Sequence, residues 1–149
     1  IDKGVIIKYM TLHVGLGTFL PIRSDEVEKH VMHSEYFVIP KDTVEAINQA
    51  KSSNHKIITL GTTVTRAIEY SGEKIKDGGE ITGEANIFIY PGYKFKVVDR
   101  LITNFHAPRS TVLMLAAAFA GWDNLRKAYE HALDNEYRFL SYGDSMMVI

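Results

Sequence analysis

The sequence predicts an α/β protein with a layered, mostly parallel or mixed β-sheet and helices on both of its faces. Two observations predict this class: short runs of β-branched and apolar residues alternate with longer helical patterns, and no internal repeat or low-complexity tract interrupts the alternation. The chain has 149 residues, of which 46% are hydrophobic. This is enough to bury one core of ordinary size, so residues 1–149 are expected to form one domain or the larger part of one.

The first half of the chain begins with an apolar run. Residues 5–14 are rich in β-branched side chains and predict a largely buried strand. Residues 35–39 predict a second, short strand, and the helix after it has Asp42 or Thr43 as its expected cap. Residues 56–60 predict a further buried strand.

The middle of the chain is more polar. Residues 61–63 are expected to turn the chain from a strand into a helix. Residues 71–84 contain four glycines without apolar periodicity, which predicts a mobile surface loop. Residues 86–90 then predict a strand.

The last third carries the most apolar helix pattern. Ser110 or Thr111 is the expected cap of that helix. The expected elements here are a strand over 101–105, an apolar helix over 112–120 that Gly121 ends, a last helix capped by Asp123, and a terminal strand over 146–149.

Composition excludes several classes of function. The chain has no cysteine, which excludes disulfides, zinc-thiolate sites and thiol nucleophiles, and makes the cytoplasm the expected compartment. With a net charge of -1, the chain lacks the overall positive charge of a protein that binds nucleic acid by charge alone. The longest apolar run is too short to span a bilayer, so no membrane role is expected. No signal peptide is recognised, and a first residue of Ile1 leads us to expect that the true amino terminus is missing.

Two glycine-containing turns follow predicted strands. His13 precedes Gly15, Gly17 and Thr18, where bare amides could approach a polar ligand, although a tight turn under a buried histidine explains the same pattern. No third glycine opens a helix, so a dinucleotide fingerprint is not met.

The second turn, Gly61, Thr62 and Thr63, opens a helix whose positive dipole end suits a carboxylate or phosphate. A threonine cap is the alternative. Arg66, one turn on, could serve the same anion or could pair with Glu69 or Glu73 on the surface.

The stretch from Asn104 to Thr111 closes a strand and enters the apolar helix, with Arg109 and Ser110 at its start. Here His106 is the imidazole nominated as a titrating catalyst, because an unperturbed histidine pKa lies near neutrality. A capped helix with a hydrogen-bonded histidine is the alternative. The other histidines are too irregularly spaced for an expected metal site.

Two further motifs have aromatic residues at turns. Tyr90, Pro91, Gly92 and Tyr93 precede Lys94, and aromatic faces beside cations suit base stacking and phosphate contact. The commoner alternative places the tyrosines in the core. In the motif that starts at Ser141, Asp144 could be an acid, a base or a turn-former.

The amino-acid sequences of these motifs resemble those of a known family. LHVGLGTF from Leu12, IYPGYKFK from Ile89, NFHAPRST from Asn104 and SYGD from Ser141 are similar to the S-adenosylmethionine:tRNA ribosyltransferase-isomerases of queuosine biosynthesis. The resemblance covers nearly the whole chain. It implies a monomeric enzyme with an α/β domain interrupted by an inserted β-barrel, of which this chain supplies the carboxyl-terminal part of the first domain.

The resemblance also implies a reaction. The ribosyl group of S-adenosylmethionine, a consumed co-substrate rather than a cofactor, is transferred to an aminomethyl-deazaguanine in the tRNA anticodon and isomerised to give epoxyqueuosine-tRNA, adenine and methionine. No metal is implied. That chemistry needs a base, for which we rank His106, His13 and Asp144 in that order. The other expected site residues are, for S-adenosylmethionine, Gly15, Gly17, Thr18, Gly61, Thr62, Thr63 and Arg66, and, for tRNA, Tyr90, Pro91, Gly92, Tyr93, Lys94, Asn104, Arg109, Ser110 and Thr111.

Two other functions are weighed against this one. A methyltransferase that uses S-adenosylmethionine would need a glycine-rich loop directly after the first strand of the domain, and here Gly15 and Gly17 are followed by Phe19 and Pro21. A non-catalytic RNA-binding module would need a basic face, which the near-neutral charge does not favour.

Overall fold

The structure is a computed structural model that describes residues 3–15, 22, 27 and 30–149. Its elements alternate between strands and helices. In chain order they are β1 (Thr11–His13), β2 (Glu35–Ile39), α1 (Lys41–Ser52), β3 (Ile58–Leu60), α2 (Thr62–Tyr70), α3 (Gly72–Ile75), β4 (Ile81–Ala85), β5 (Arg100–Asn104), α4 (Thr111–Ala120), α5 (Trp122–Asp134) and β6 (Ser145–Val148).

The first sheet has the order β1-β2-β4 and is antiparallel throughout. Alternate residues of β2 point into the core, where Phe37 and Ile39 are almost fully buried. They pack with Val44 of α1 and Ile68 of α2 in one hydrophobic cluster. This cluster therefore fixes α1 and α2 to the first sheet.

The second sheet has the order β3-β5-β6. β3 and β5 run parallel, and β6 pairs with β5 in the antiparallel sense. The buried face packs on α4 through Leu101, Leu115 and Val148. On the opposite face, Ile58, Leu60 and Met147 are exposed.

The apolar helix α4 begins at Thr111, one residue before its predicted start, and ends at Ala120 as predicted. The Oγ of Ser110 accepts a hydrogen bond from the backbone N–H of Leu113 at 3.2 Å. At the other end Gly121 adopts a φ of 77°, a left-handed conformation that glycine tolerates best. Leu113, Ala116 and Ala117 then pack against Leu125 of α5.

The α/β class is confirmed, with one antiparallel and one mixed sheet, and the arrangement differs from the sequence prediction in two details. The described strands form two three-stranded sheets rather than one mostly parallel sheet, and β3–β5 is the parallel pair among them. The helices that contact the second sheet lie on its buried face and not on both faces. Hydrophobic patterns predict where strands occur but not their direction or partners.

Three predicted segments differ from the structure. The strand expected over 5–14 is ordered as a strand only at Thr11–His13, and its apolar residues 5–7 are more than half exposed. The mobile loop expected over 71–84 instead contains α3 and most of β4, because Ile75 and Ile81 are buried in the first core. Residues 86–90 are irregular, since the strand of that region ends at Ala85.

Three predicted side-chain caps are also wrong. The residues at the cap positions are Pro40 for α1, Gly61 for α2 and Gly121 for α5, and none donates or accepts through a side chain. Asp42 and Asp123 lie in the first turns instead, where a carboxylate still interacts favourably with the helix dipole. Among the described residues, no helix combines the length and apolarity needed to cross a bilayer.

Candidate functional site

A cavity of about 300 Å³ opens at one edge of the second sheet. β3 and β5 are parallel, so their carboxyl ends meet at this edge, and β6 begins there because it is antiparallel to β5. The cavity is lined by Leu60, Gly61, Ile102, Thr103, Asn104, Gly143 and Ser145. Three separate sequence motifs, at 61–63, 104–111 and 141–144, therefore meet at one strand edge, which is where α/β proteins commonly bind ligands.

Asn104 joins two of these motifs. Its Nδ2 donates hydrogen bonds to the carbonyl oxygens of Gly143, at 3.3 Å, and of Asp144, at 3.2 Å. A Cβ on Gly143 would collide with the carbonyl of Arg138, so this turn requires glycine. Asn104, which was expected to contact tRNA, thus holds a turn of the cavity wall in place.

His106 lies just behind the cavity. Its Nε2 is 2.8 Å from Oγ1 of the lining residue Thr103, and its backbone N–H donates to the hydroxyl oxygen of Tyr129 at 2.6 Å. Burial lowers the pKa of His106 from the usual 6.5 to about 4. The imidazole is therefore neutral at physiological pH, as a base must be. The cause of the shift is desolvation, which disfavours the charged imidazolium.

Asp144 acts first as a turn-former. Its Oδ2 accepts the backbone N–H of Arg138 at 2.7 Å, and its own N–H donates to the carbonyl oxygen of Arg138 at 2.7 Å. Its position beside Gly143 keeps it close to the cavity, while its hydrogen bonds favour the turn-forming interpretation.

Gly61 connects β3 to α2 and lines the cavity. It has a φ of 99°, and its N–H donates to the carbonyl oxygen of Ile102 at 2.8 Å. Thr62 is buried and Thr63 is half-buried at the start of α2. The strand-to-helix turn expected at 61–63 is confirmed, and the first turn of α2 begins at the cavity edge.

Arg66 does not occupy either of its expected environments. It is 3% exposed, its Nη1 lies 3.1 Å from Oε2 of Glu35, and its Nη2 donates to the carbonyl oxygens of His33 and Ala85. Pairing with Glu69 or Glu73 is therefore wrong. Its terminal nitrogens are committed inside the protein, between α2 and the first sheet, which does not support binding of a ligand carboxylate.

His13 lies on β1 of the first sheet, where its ring contacts Tyr36 with centroids 5.4 Å apart. No contact of the described residues joins it to the cavity of the second sheet. Gly15 is exposed beyond β1. Gly17 and Thr18 lie outside the described residues.

The expected tRNA-binding residues fall into two groups. Three of them have structural roles. The Tyr93 hydroxyl donates a hydrogen bond to the Glu69 carboxylate, Ser110 caps α4, and Thr111 is buried. The exposed or half-exposed group comprises Tyr90, Pro91, Gly92, Lys94 and Arg109. Arg109 adopts a φ of 55°, and its carbonyl oxygen accepts the N–H of Ile22 at 2.8 Å.

Sequence reasoning missed several residues that shape this region. The hydroxyl oxygen of Thr65, which is fully buried, lies 2.7 Å from that of Thr59, and this hydrogen bond joins α2 to β3. Glu69 accepts four hydrogen bonds from one loop. In the sequence, Thr65 and Glu69 could have been recognised only as polar residues among the apolar residues of one helix face. No group of three or more potential metal-ligating side chains is found within the described ranges.

Comparison with known proteins places the chain in a family. A family model described as queuosine biosynthesis protein matches residues 1–148. The S-adenosylmethionine:tRNA ribosyltransferase-isomerase of Pelodictyon phaeoclathratiforme is 60% identical over 149 residues, which cover 98% of this chain and 44% of that relative. The protein of the same name from a Psychrobacter species is 52% identical, over 99% of this chain and 39% of that relative.

A solved structure has the same fold. The crystal structure of S-adenosylmethionine tRNA ribosyltransferase from Thermotoga maritima superimposes with a TM-score of 0.81 and 38% sequence identity, over 99% of this chain and 46% of that chain. The chain spans less than half the length of these relatives. With a family model that matches nearly all of its residues, the chain belongs to the queuosine biosynthesis protein family.

Proposed function

We propose that this chain contributes the strand-end cavity to the active site of an S-adenosylmethionine:tRNA ribosyltransferase-isomerase. The observation that carries the proposal is the meeting of three sequence motifs around one cavity, at Gly61, Asn104 and Gly143. Two of them, at Asn104 and Gly143, belong to the strings that carry the family resemblance. A relative named for this activity is 60% identical to the chain over 149 aligned residues, which cover 98% of the chain. The chain would supply the carboxyl-terminal part of an α/β domain, and the remainder of the full-length protein, including an inserted β-barrel, would complete the enzyme.

The proposed reaction uses two substrates and no resident cofactor. The ribosyl group of S-adenosylmethionine is transferred to the aminomethyl-deazaguanine of a tRNA anticodon and isomerised, which releases adenine and methionine and gives epoxyqueuosine-tRNA. The positive sulfonium acidifies the neighbouring ribose carbon, so a base must accept that proton. Adenine leaves more easily when a group protonates it.

His106 is the residue best suited to the role of base. Its pKa of about 4 keeps the ring neutral, and Thr103 links the ring to the cavity. Asp144 ranks next, because it lies beside the cavity residue Gly143 although its carboxylate is engaged by Arg138. His13 ranks last because its described contacts lie in the first sheet.

Different parts of the chain would bind S-adenosylmethionine and tRNA. The first turn of α2, at Thr62 and Thr63, follows the cavity residue Gly61 and suits the methionine carboxylate. The exposed Lys94 and Arg109 suit tRNA phosphates. A cytoplasmic monomer is the proposed state of the full-length protein.

Product analysis with the full-length protein tests the proposal. Incubation with labelled S-adenosylmethionine and deazaguanine-containing tRNA should release adenine and methionine. Formation of S-adenosylhomocysteine would identify a methyltransferase instead, and tRNA binding without either product would identify an RNA-binding module. A reaction with tRNA that lacks the deazaguanine is the control, and it should release no adenine above background.

A further inference from the structure

Glu69 is a buried carboxylate that holds one loop. It lies on α2 with 3% of its surface exposed. Its Oε1 accepts the backbone N–H groups of Val97, at 2.9 Å, and Val98, at 2.8 Å. Its Oε2 accepts the N–H of Lys96, at 2.8 Å, and the hydroxyl of Tyr93, at 3.2 Å. All four donors come from residues 93–98, hereafter the lysine loop.

The loop and the carboxylate depend on each other. A buried charge is costly unless it is well hydrogen-bonded, and among the described residues Glu69 makes no ion pair. The lysine loop has neither helix nor strand, so its three consecutive amides have no ladder to satisfy them. Burial and the nearby negative charge of Glu69 raise the pKa of Tyr93 to about 12, so its hydroxyl keeps its proton to donate.

The lysine loop turns its apolar side chains inward and its charges outward. Phe95 packs between Tyr93 and Phe119, with ring centroids 5.1 Å and 4.4 Å away. Lys94 and Lys96 alternate with these residues and are exposed. Lys51 of α1 donates from its exposed ammonium group to the carbonyl oxygen of Lys96, which brings a third cation to the same loop.

We propose that Glu69 is a positioning residue that fixes the lysine loop so that Lys94 and Lys96 present a preformed pair of ammonium groups to RNA backbone phosphates. This inference rests on the proposed function. A loop that is already ordered does not lose conformational freedom when RNA binds, so the two lysines contribute more of their electrostatic attraction to affinity. Glu69 touches neither substrate nor the reacting atoms in this role.

Steady-state kinetics of the full-length protein test the proposal through adenine release. Glu69→Gln keeps the shape of the side chain but puts an N–H₂ group against backbone donors. It should raise the KM for tRNA by about tenfold, with kcat and the KM for S-adenosylmethionine within about twofold of wild type. Glu45→Gln, at an exposed glutamate of α1, is the matched control and should leave all three constants unchanged.

A double-mutant comparison separates positioning from general damage. Lys94→Ala/Lys96→Ala should also raise the KM for tRNA and should reduce its dependence on salt. Adding Glu69→Gln to that background should then have little further effect, because the lysines through which Glu69 acts are gone. Full additivity of the two effects would overturn the proposal, as would a Glu69→Gln protein with an unchanged KM for tRNA.

Tyr93→Phe provides a milder variant in case Glu69→Gln does not fold. It removes one of the four donors, keeps the ring packed on Phe95, and should raise the KM for tRNA by about two- to threefold. An unchanged KM for tRNA in this variant contradicts the inference. Failure of the wild-type protein to release adenine at all would instead contradict the proposed function, so the two failures are distinguishable.

Discussion

The hydroxyl oxygen of Thr103 lies 2.8 Å from Nε2 of His106, and this contact connects the cavity wall to the imidazole behind it. Thr103→Val keeps the shape of the side chain and removes the contact. We expect turnover by the full-length protein to fall about tenfold, the effect of losing one orienting hydrogen bond of roughly 1.4 kcal/mol. Thr82→Val, at an exposed position of β4, is the control, and single-turnover adenine release is the measurement. Equal rates for the two variants would leave Thr103 without an orienting role.

The buried ion pair of Arg66 and Glu35 is expected to be a stability determinant. Arg66→Met removes one buried cationic partner of Glu35, a carboxylate that is itself 3% exposed, which should cost about 3 kcal/mol of unfolding free energy. Lys76→Met breaks the exposed pair with Glu73 and should cost less than about 1 kcal/mol. Urea unfolding of the two variants compares these costs. Similar losses would show that the pair does not hold α2 to the first sheet.

Gly143 is expected to tolerate no side chain. Gly143→Ala places a methyl group against the carbonyls of Arg138 and Phe139, so the turn that Asn104 holds must shift, at a cost of about 1–3 kcal/mol. A Cβ at Gly15 would meet no atom of the described residues within 4 Å, so Gly15→Ala serves as the stability control. Thermal unfolding of the full-length protein measures both. An undisturbed melting temperature for Gly143→Ala would mean that the turn adapts easily.

His106 should make stability depend on pH in a defined window. Its folded-state pKa of about 4 is below the usual 6.5, so the unfolded state binds more protons between these values and stability falls as the pH is lowered from 6.5 to 4. The loss approaches about 3 kcal/mol. His106→Gln cannot titrate, so the difference in unfolding free energy between wild type and variant should change by that amount across the window. Parallel pH profiles would contradict the assigned pKa.

The sequence predicted the features that depend on neighbouring residues. Ser110 and Gly121 bound α4 as expected because a cap and a left-handed glycine act within one helical turn. The pairing of Arg66 with Glu35 was missed because the partners are 31 residues apart and meet only when α2 packs on the first sheet. Residues 71–84 were wrongly predicted as a mobile loop because Ile75 and Ile81 are isolated in sequence and become buried only through tertiary packing. For the site, the turn at Gly61 and the turn-forming role of Asp144 could be predicted, whereas the separation of His13 from the cavity and the structural role of Asn104 could not.

We propose that the cavity at the ends of β3 and β5 is part of the reaction site and that His106 serves it as a base. The most direct test is the single-turnover rate of adenine release by His106→Ala in the full-length protein, with exposed His131→Ala as the control. We predict that His106→Ala folds and binds S-adenosylmethionine but releases adenine about a hundredfold more slowly, the usual effect of removing a positioned acid or base, while His131→Ala matches wild type. A folded His106→Ala protein that releases adenine within about threefold of the wild-type rate would contradict the claim.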